Sequence, residues 1–378
     1  MEKPLNARFS SGPCAKHRNW IAPSGKFVGR SHRSSEGIKF IQEIIRLQKK
    51  VLAIPEDYFL GIVNASTTGG IEALMWSLLG EKPVDALAQC VFSNHWANDI
   101  VNELKIPHVN LIKADFPERA DVSRVNFNKD VVFCLSSTTS GVSFEDLNWI
   151  PSNRQGLIIC DAASAVFAMD FDWTKLDAVA FSWQKGIGGE AGLGSIVLSP
   201  RAVSRLESYK PDRPIPKIFR IAENKKINFS LFNGYMINTP SMICLEDFSD
   251  NLIWADRLGG IKSLAQRVEQ NYNVVKGWIS RQNVFRFLVD EKYRAHHIVC
   301  LDVVQDVYQS MSDENKWKFL TKIVKICEKE NVGFDFLGHI QTKPHLRIWT
   351  GPTIDHKDLE KFLPWLEFAY NKTAAECF

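Results

Sequence analysis

Three short stretches hold residues with chemistry to offer. Ser66-Thr67-Thr68-Gly69-Gly70 sits directly after the apolar run Phe59–Asn64 and directly before a helical pattern. A helix start has unpaired N–H groups and a positive dipole end, so hydroxyls and glycines there suit a bound phosphate; plain N-capping by Ser or Thr is the simpler use. Asp161 ends the apolar run Leu157–Cys160. That position is the C-terminal edge of a parallel sheet, where open α/β folds bind ligands, although an Asp there also caps the next turn. Ser182-Trp183-Gln184-Lys185 ends a third apolar run and is followed by Gly186-Ile187-Gly188-Gly189. Lys185 lies 24 residues after Asp161, a length at which one strand–crossover–strand unit returns both residues to the same sheet edge.

An amine, a carboxylate and a helix-start anion site together match the demands of pyridoxal phosphate. Its aldehyde needs an amine, its ring nitrogen a carboxylate and its phosphate a helix N-terminus. The ring also needs an aromatic face. Trp96, opening a helix after Phe92–His95, could supply it, with core packing as the bland alternative.

These residues need a sheet to position them. Phe59–Asn64, Ala88–Phe92, Val109–Ile112, Val131–Leu135, Leu157–Cys160, Ala178–Trp183 and Gly194–Leu198 each read as a buried strand. The runs are continuous rather than alternating, as in a sheet covered on both faces. Helical patterns at Gly69–Leu79 and Trp96–Leu104 supply crossovers, so a mostly parallel seven-stranded α/β sheet is expected over about 55–200. Residues 210–240 form an irregular, proline-punctuated excursion. Ser241–Leu258 and Ile261–Gln282 read as long amphipathic helices. Strands at His297–Val304 and Leu346–Trp349, with helices near Glu314–Glu330 and His356–Asn371, make a smaller α+β unit. The expected division is a large domain over 16–260 and a small C-terminal domain over 261–378 that also takes in 1–15.

The 378 residues have 45% hydrophobic and 24% charged side chains, ordinary globular usage that excludes disordered and coiled-coil classes. Forty-six basic against 43 acidic residues is too even for a nucleic-acid binder, so any anionic substrate must be held by placed groups. Apolar runs fall well short of the ~20 residues of a membrane span. Met1–Arg8 is polar and lacks the core of a signal peptide. The eight cysteines avoid C-x-x-C spacing and the nine histidines avoid metal spacing. A cytoplasmic, metal-free protein with reduced thiols is expected.

Six motifs in order then resemble the phosphoserine aminotransferases, class V, fold-type I pyridoxal-phosphate enzymes, over nearly the whole chain. They are Phe9-Ser10-Ser11-Gly12-Pro13-Cys14-Ala15-Lys16, Ser31-His32-Arg33-Ser34, Thr138-Thr139-Ser140-Gly141, Asp161-Ala162-Ala163-Ser164, Trp183-Gln184-Lys185 and Asn238-Thr239-Pro240-Ser241. The resemblance implies that Lys185 is the Schiff-base lysine and acid/base, and that Asp161 pairs with the ring nitrogen. Trp96 would stack on the ring, while Thr67, Thr68, Thr138 and Gln184 hold the phosphate and ring substituents. Asn238 and Thr239 would reach the phosphate from the neighbouring subunit of a homodimer. Ser11, Arg33 and Arg347 would bind the amino-acid substrate, with His32 and His339 near its phosphate. The implied reaction is ping-pong exchange between phosphoserine with 2-oxoglutarate and 3-phosphooxypyruvate with glutamate, in serine biosynthesis. One departure favours a neighbouring activity on serine or alanine with glyoxylate or pyruvate: Gly338-His339-Ile340-Gln341-Thr342-Lys343 has Ile340 where relatives often carry an arginine.

Overall fold

The computed structural model describes residues 1–377; Phe378, the last residue of the expected small domain, lies outside them. The central sheet runs β1 (Phe59–Asn64), β2 (Val84–Ala88), β3 (Val109–Lys113), β4 (Asp130–Cys134), β5 (Ile158–Asp161), β6 (Ala178–Ser182) and β7 (Leu193–Leu198) along the chain. In space the order is β1-β7-β6-β5-β4-β2-β3. Only β7 opposes its neighbours, pairing antiparallel with both β1 and β6. Strands β2, β4, β5, β6 and β7 are buried at every position, the polar Asp85, Asp130 and Ser195 included, as in a sheet covered on both faces. Each fully buried Val, Leu or Ile in them contributes about 1.5–3 kcal/mol.

Helices cover the sheet. α1 (Ser35–Val51) is capped by the Ser34 side chain on the Gly37 N–H and ends in Lys49 and Lys50, which suit its dipole. α2 (Ser66–Leu78) follows β1, and α3 (Val91–Asn98) follows β2. The expected strand Ala88–Phe92 is therefore displaced: the strand is Val84–Ala88, and Cys90 begins a helix through a capping box with Ser93. The helix expected over Trp96–Leu104 becomes the end of α3 plus a π-helical turn, Asp99–Glu103. α4 (Pro200–Ser208) leads into the irregular segment, which contains one small hairpin, β8 (Ala222–Glu223) with β9 (Lys226–Ile227).

α5 (Met242–Leu258) and α6 (Ile261–Ile279) lead to the second unit. Its antiparallel sheet is β10 (Phe285–Phe287), β11 (Ile298–Val303) and β12 (Leu346–Trp349), with α7 (Asp306–Gln309), α8 (Asp313–Lys329) and α9 (His356–Cys377). Two apolar clusters face the two sides of the large sheet. A separate cluster joins Phe9, Cys14 and Ala15 to Tyr272, Val275 and the residues after them. α6 spans both units: Ile261 and Leu264 belong to the large core, Tyr272 and Trp278 to the small one.

Candidate active site

The sheet edge gathers the site. β4, β5 and β6 are parallel, with Cys134 opposite Asp161 and Asp161 opposite Ala180. Cys134 and Asp161 therefore end side by side, and Lys185 follows β6 by three residues. A cavity opens there with about 460 Å³ of empty space, its open mouth included. Its walls include Thr67, Thr68, Trp96, Thr138, Asp161, Gln184 and Lys185, seven of the residues expected from sequence.

Lys185 is 8% exposed. Its Nζ donates to Thr138 Oγ1 at 2.5 Å and to Ser164 Oγ at 3.4 Å, and stands 5.3 Å from the centre of the Phe92 ring. Burial holds its pKa below that of an ordinary lysine, with Arg347 acting in the same direction; Asp161 and Cys14 oppose. Asp161 shifts the other way. Burial raises its pKa against the Ala163 N–H, Lys185, Trp96 and Cys134. Its Oδ1 accepts from the Ala163 N–H at 2.9 Å, and its Oδ2 accepts from Trp96 Nε1 at 3.0 Å and from the Cys134 thiol at 3.7 Å. Trp96 thus meets Asp161 through its indole N–H.

The helix start beside them is open. Ala65, the residue before α2, lies in the left-handed region at φ 61° and gives no side-chain cap. The simple N-capping reading therefore does not hold, and the first-turn N–H groups keep their capacity for an anion. Thr67 Oγ1 instead donates to Ser182 Oγ at 2.6 Å, tying α2 to the end of β6. Gly69 permits the tight entry, since a Cβ there would fall 2.1 Å from Asn64 O.

Other expected residues lie at the rim or beyond it. Ser11 is buried with an unpartnered Oγ, and its neighbour Gly12 packs so closely that a Cβ would lie 3.3 Å from Lys185 Cε. Arg347, on β12 opposite Cys300, donates from Nη1 to Thr138 O at 2.8 Å and leaves a buried Nε unpartnered. His339 meets the edge of Phe92 at 6.4 Å. His32 is buried with Nε2 unpartnered, whereas Arg33, Asn238 and Thr239 are exposed. None of those four lines the cavity; Asn238 accepts a bond from Asn64, the last residue of β1. Sequence reasoning missed Phe92 and Ser164. Phe92 fell inside the misplaced strand, and Ser164, although quoted within a motif, carried no role until the turn after β5 placed it against Thr138 and Lys185.

No family model matches the chain. A phosphoserine aminotransferase from Methanosarcina barkeri is 44% identical over 371 residues, covering 97% of this chain and 98% of the relative. Among solved structures, a phosphoserine aminotransferase from Cytophaga hutchinsonii superposes with a TM-score of 0.77 at 21% identity, covering 96% of this chain and 98% of that one. Pyridoxamine-pyruvate aminotransferase from Mesorhizobium loti gives 0.78 at 16% identity, covering 99% and 93%, so the fold is shared by enzymes with other substrates. Identity at that level along almost the full length of both sequences places this chain in the phosphoserine aminotransferase family.

Proposed function

We propose that the protein is a pyridoxal-phosphate-dependent aminotransferase that exchanges the amino group between phosphoserine and 2-oxoglutarate, as a cytoplasmic homodimer in serine biosynthesis. The observation that carries this reading is the buried amine of Lys185 sharing one cavity with Asp161 and an uncapped helix start. The cavity also fits the cofactor in what it leaves unsatisfied: Gln184 Oε1 on its wall is buried without a partner, as are Ser11 Oγ and Arg347 Nε beyond the wall. Once bound, pyridoxal phosphate supplies an aldehyde for amine exchange and a ring that accepts electron density from the substrate's Cα.

The chain's own groups do the rest. The first turn of α2, with Thr67 and Thr68, would hold the cofactor phosphate, and Asp161 its ring nitrogen. Trp96 would wall the ring, with Thr138 and Gln184 along its edge. Lys185, made a better nucleophile and base by burial, moves a proton at Nζ, steered by Thr138 Oγ1 and Ser164 Oγ. Arg347 offers its free guanidinium edge to the substrate carboxylate beside Ser11. His339, edge-on to Phe92 at 6.4 Å, would meet the phosphoryl group of the substrate. Asn238 and Thr239, exposed in one protomer, would reach the cofactor phosphate from the second, and the exposed Arg33 would bind the amino-acid substrate with His32 near its phosphate. A large domain over 16–260 and a small one over 261–378 with 1–15 is supported by the two separate cores, except that Ile261 and Leu264 at the start of α6 pack in the large one. Among the described residues, no helix is long and apolar enough to cross a membrane.

The test is borohydride reduction of the yellow protein, followed by peptide mass mapping. The cofactor mass should be fixed on Lys185; a label elsewhere, or a label surviving in Lys185→Ala, refutes the assignment. A second reading, a transaminase for small amino acids, draws on Ile340, which is 85% exposed with no arginine in its place. Turnover of alanine or serine with glyoxylate or pyruvate above that of phosphoserine with 2-oxoglutarate would favour it.

A further inference from the structure

Lys16 closes one of the motifs read from the sequence, yet the proposed reaction gives it nothing to do. Its Nζ donates to Asp247, a buried carboxylate of α5, at 2.8 Å to Oδ1 and 2.9 Å to Oδ2. Trp20 Nε1 donates to the same Oδ1 at 2.8 Å, and the Glu190 N–H donates to Oδ2 at 2.8 Å. A buried charge needs such donors, but these come from two separate pieces of chain: segment 9–20 and the loop that follows Lys185. The same two pieces interlock around the lysine. The Cys14 N–H donates to Gln184 O at 2.7 Å, and the Gly188 N–H donates to Lys185 O at 2.8 Å. Gly188 lies at φ 67°, and a Cβ there would fall 2.4 Å from Ala15 O, so segment and loop meet backbone to backbone. At its far end the segment accepts the Trp349 N–H on Phe9 O at 3.0 Å, two residues beyond Arg347 on β12. Next to Asp247, Phe248 stacks on Trp183 at 3.9 Å. α5 thus grips the chain on both sides of Lys185.

We propose that Asp247 is a positioning residue for Lys185, locking segment 9–20 onto the loop after the lysine so that the amine, Ser11 and Arg347 keep one spacing. Asp250 secures the segment separately, through His17 Nε2 and the Ile21 N–H, both at 3.2 Å; Asp247 couples it to the loop. Glu190 also pairs with Lys16 at 3.0 Å, but its carboxylate is 59% exposed, so solvent weakens that pair and leaves the backbone N–H as the loop's hold on Asp247. Releasing the lock lets water reach Lys185. Burial holds the lysine pKa low, with Arg347 from β12 in the same direction; Asp161 from β5, Cys14 from the segment and Cys134 from β4 oppose. Hydration removes the largest of these effects, so the freed amine becomes more basic. It also leaves the geometry in which Nζ can move a proton at the substrate's Cα. That last consequence rests on the proposed aminotransferase reading; the change in basicity does not.

The experiment compares full-length Asp247→Asn, Lys16→Met, Lys16→Arg and Glu190→Gln with the wild type. In the cofactor-free protein, trace labelling with acetic anhydride across the lysine titration range, read by peptide mass, gives the Lys185 pKa. Expected is a rise of about one pH unit in Asp247→Asn and Lys16→Met. Lys16→Arg, which keeps the cation, and Glu190→Gln, which keeps the backbone N–H, should stay within about 0.2 unit of the wild type. A role confined to stability would lower the melting temperature and leave that pKa in place. With cofactor bound, the single-turnover rate of phosphoserine per bound cofactor should fall on the order of 10–100-fold in the first two variants, a quantity that loss of folded protein does not alter. Folded Asp247→Asn and Lys16→Met that keep the wild-type Lys185 pKa, or the wild-type single-turnover rate, overturn the proposal, as does an equal shift in Glu190→Gln. If Asp247→Asn fails to fold, Lys16→Met, altered at a side chain 22% exposed, decides alone. Wild-type protein that binds no cofactor, or leaves phosphoserine unreacted, refutes the aminotransferase reading instead, and the titration still judges Asp247.

Discussion

Trp96→Phe isolates the bond between the indole and Asp161. The ring system stays aromatic, but the N–H that reaches Asp161 Oδ2 at 3.0 Å is gone. A buried hydrogen bond to a charged group is worth roughly 1.5–3 kcal/mol. Removing it leaves Oδ2 with only the weak thiol donor at 3.7 Å. Asp161 already binds its proton more tightly when folded than when unfolded, because burial raises its pKa. The sign follows from linkage: that group's stabilising share is full below the unfolded carboxylate pKa and is lost as pH rises through the folded one. At pH 7.5 the cofactor-free variant should therefore lose about 1.5–3 kcal/mol for the bond, plus a smaller packing cost. The deficit should shrink as acid protonates Asp161. A double-mutant cycle with Asp161→Ala, read from urea midpoints, removes the packing cost and should return a coupling of about 1.5–3 kcal/mol. A coupling below about 0.5 kcal/mol, within the additivity expected of independent sites, would refute the claim that the indole N–H holds the carboxylate.

Other perturbations address the remaining parts. Gly69→Ala puts a Cβ against Asn64 O and should cost about 1–3 kcal/mol as overpacking in thermal or urea unfolding; an unchanged midpoint would show that the entry to α2 yields freely. Arg347→Lys keeps the charge but loses the planar fork, so steady-state kinetics should show KM for the amino-acid substrate rising about tenfold, ~1.4 kcal/mol, with kcat changing less. Glu72 accepts from Trp76 Nε1 and faces Asp99 and Glu103, and burial with the Asp99 contact raises its pKa to about 7. A raised carboxylate pKa gives stability that fades as pH climbs through that value, so Glu72→Gln should gain on the wild type between pH 6 and 8 in melting scans. A constant difference across that range would remove Glu72 as the titrating group.

The sequence displayed the chemistry better than the scaffold around it. Asp161 was legible because it ends an apolar run and Lys185 because it closely follows one, and a buried strand that stops at a polar residue marks a sheet edge. The start of α2 was legible in place but not in kind: only the left-handed Ala65 shows that its N–H groups lack a side-chain cap. β2 was displaced because Cys90, Val91 and Phe92 extend the apolar run of Ala86–Ala88, while the decision to turn there is made by the Ser93 hydroxyl on the Gln89 and Cys90 N–H groups. The reversal of β7 escaped because register against β1 and β6 is a non-local choice that no apolar period records. Phe92 and Ser164 acquire meaning only when α3 and the turn after β5 meet over Lys185.

One cause acts in opposite senses on the two central groups. Burial lowers the Lys185 pKa and raises that of Asp161, so the same dry cavity that makes the amine a ready base also makes the ionised carboxylate costly. Each moves toward its neutral form when the cavity is empty. A cationic ring nitrogen beside Asp161 would reverse that cost, because an opposite charge restores the ionised carboxylate. In the proposed cofactor site the acid would then be stabilised as an anion by the ligand rather than by the protein alone. On the proposed reading, a chain with nearly balanced total charge needs no basic surface: the attraction for anionic substrates would be concentrated at Arg347, the start of α2 and the histidines at the rim, where little water competes.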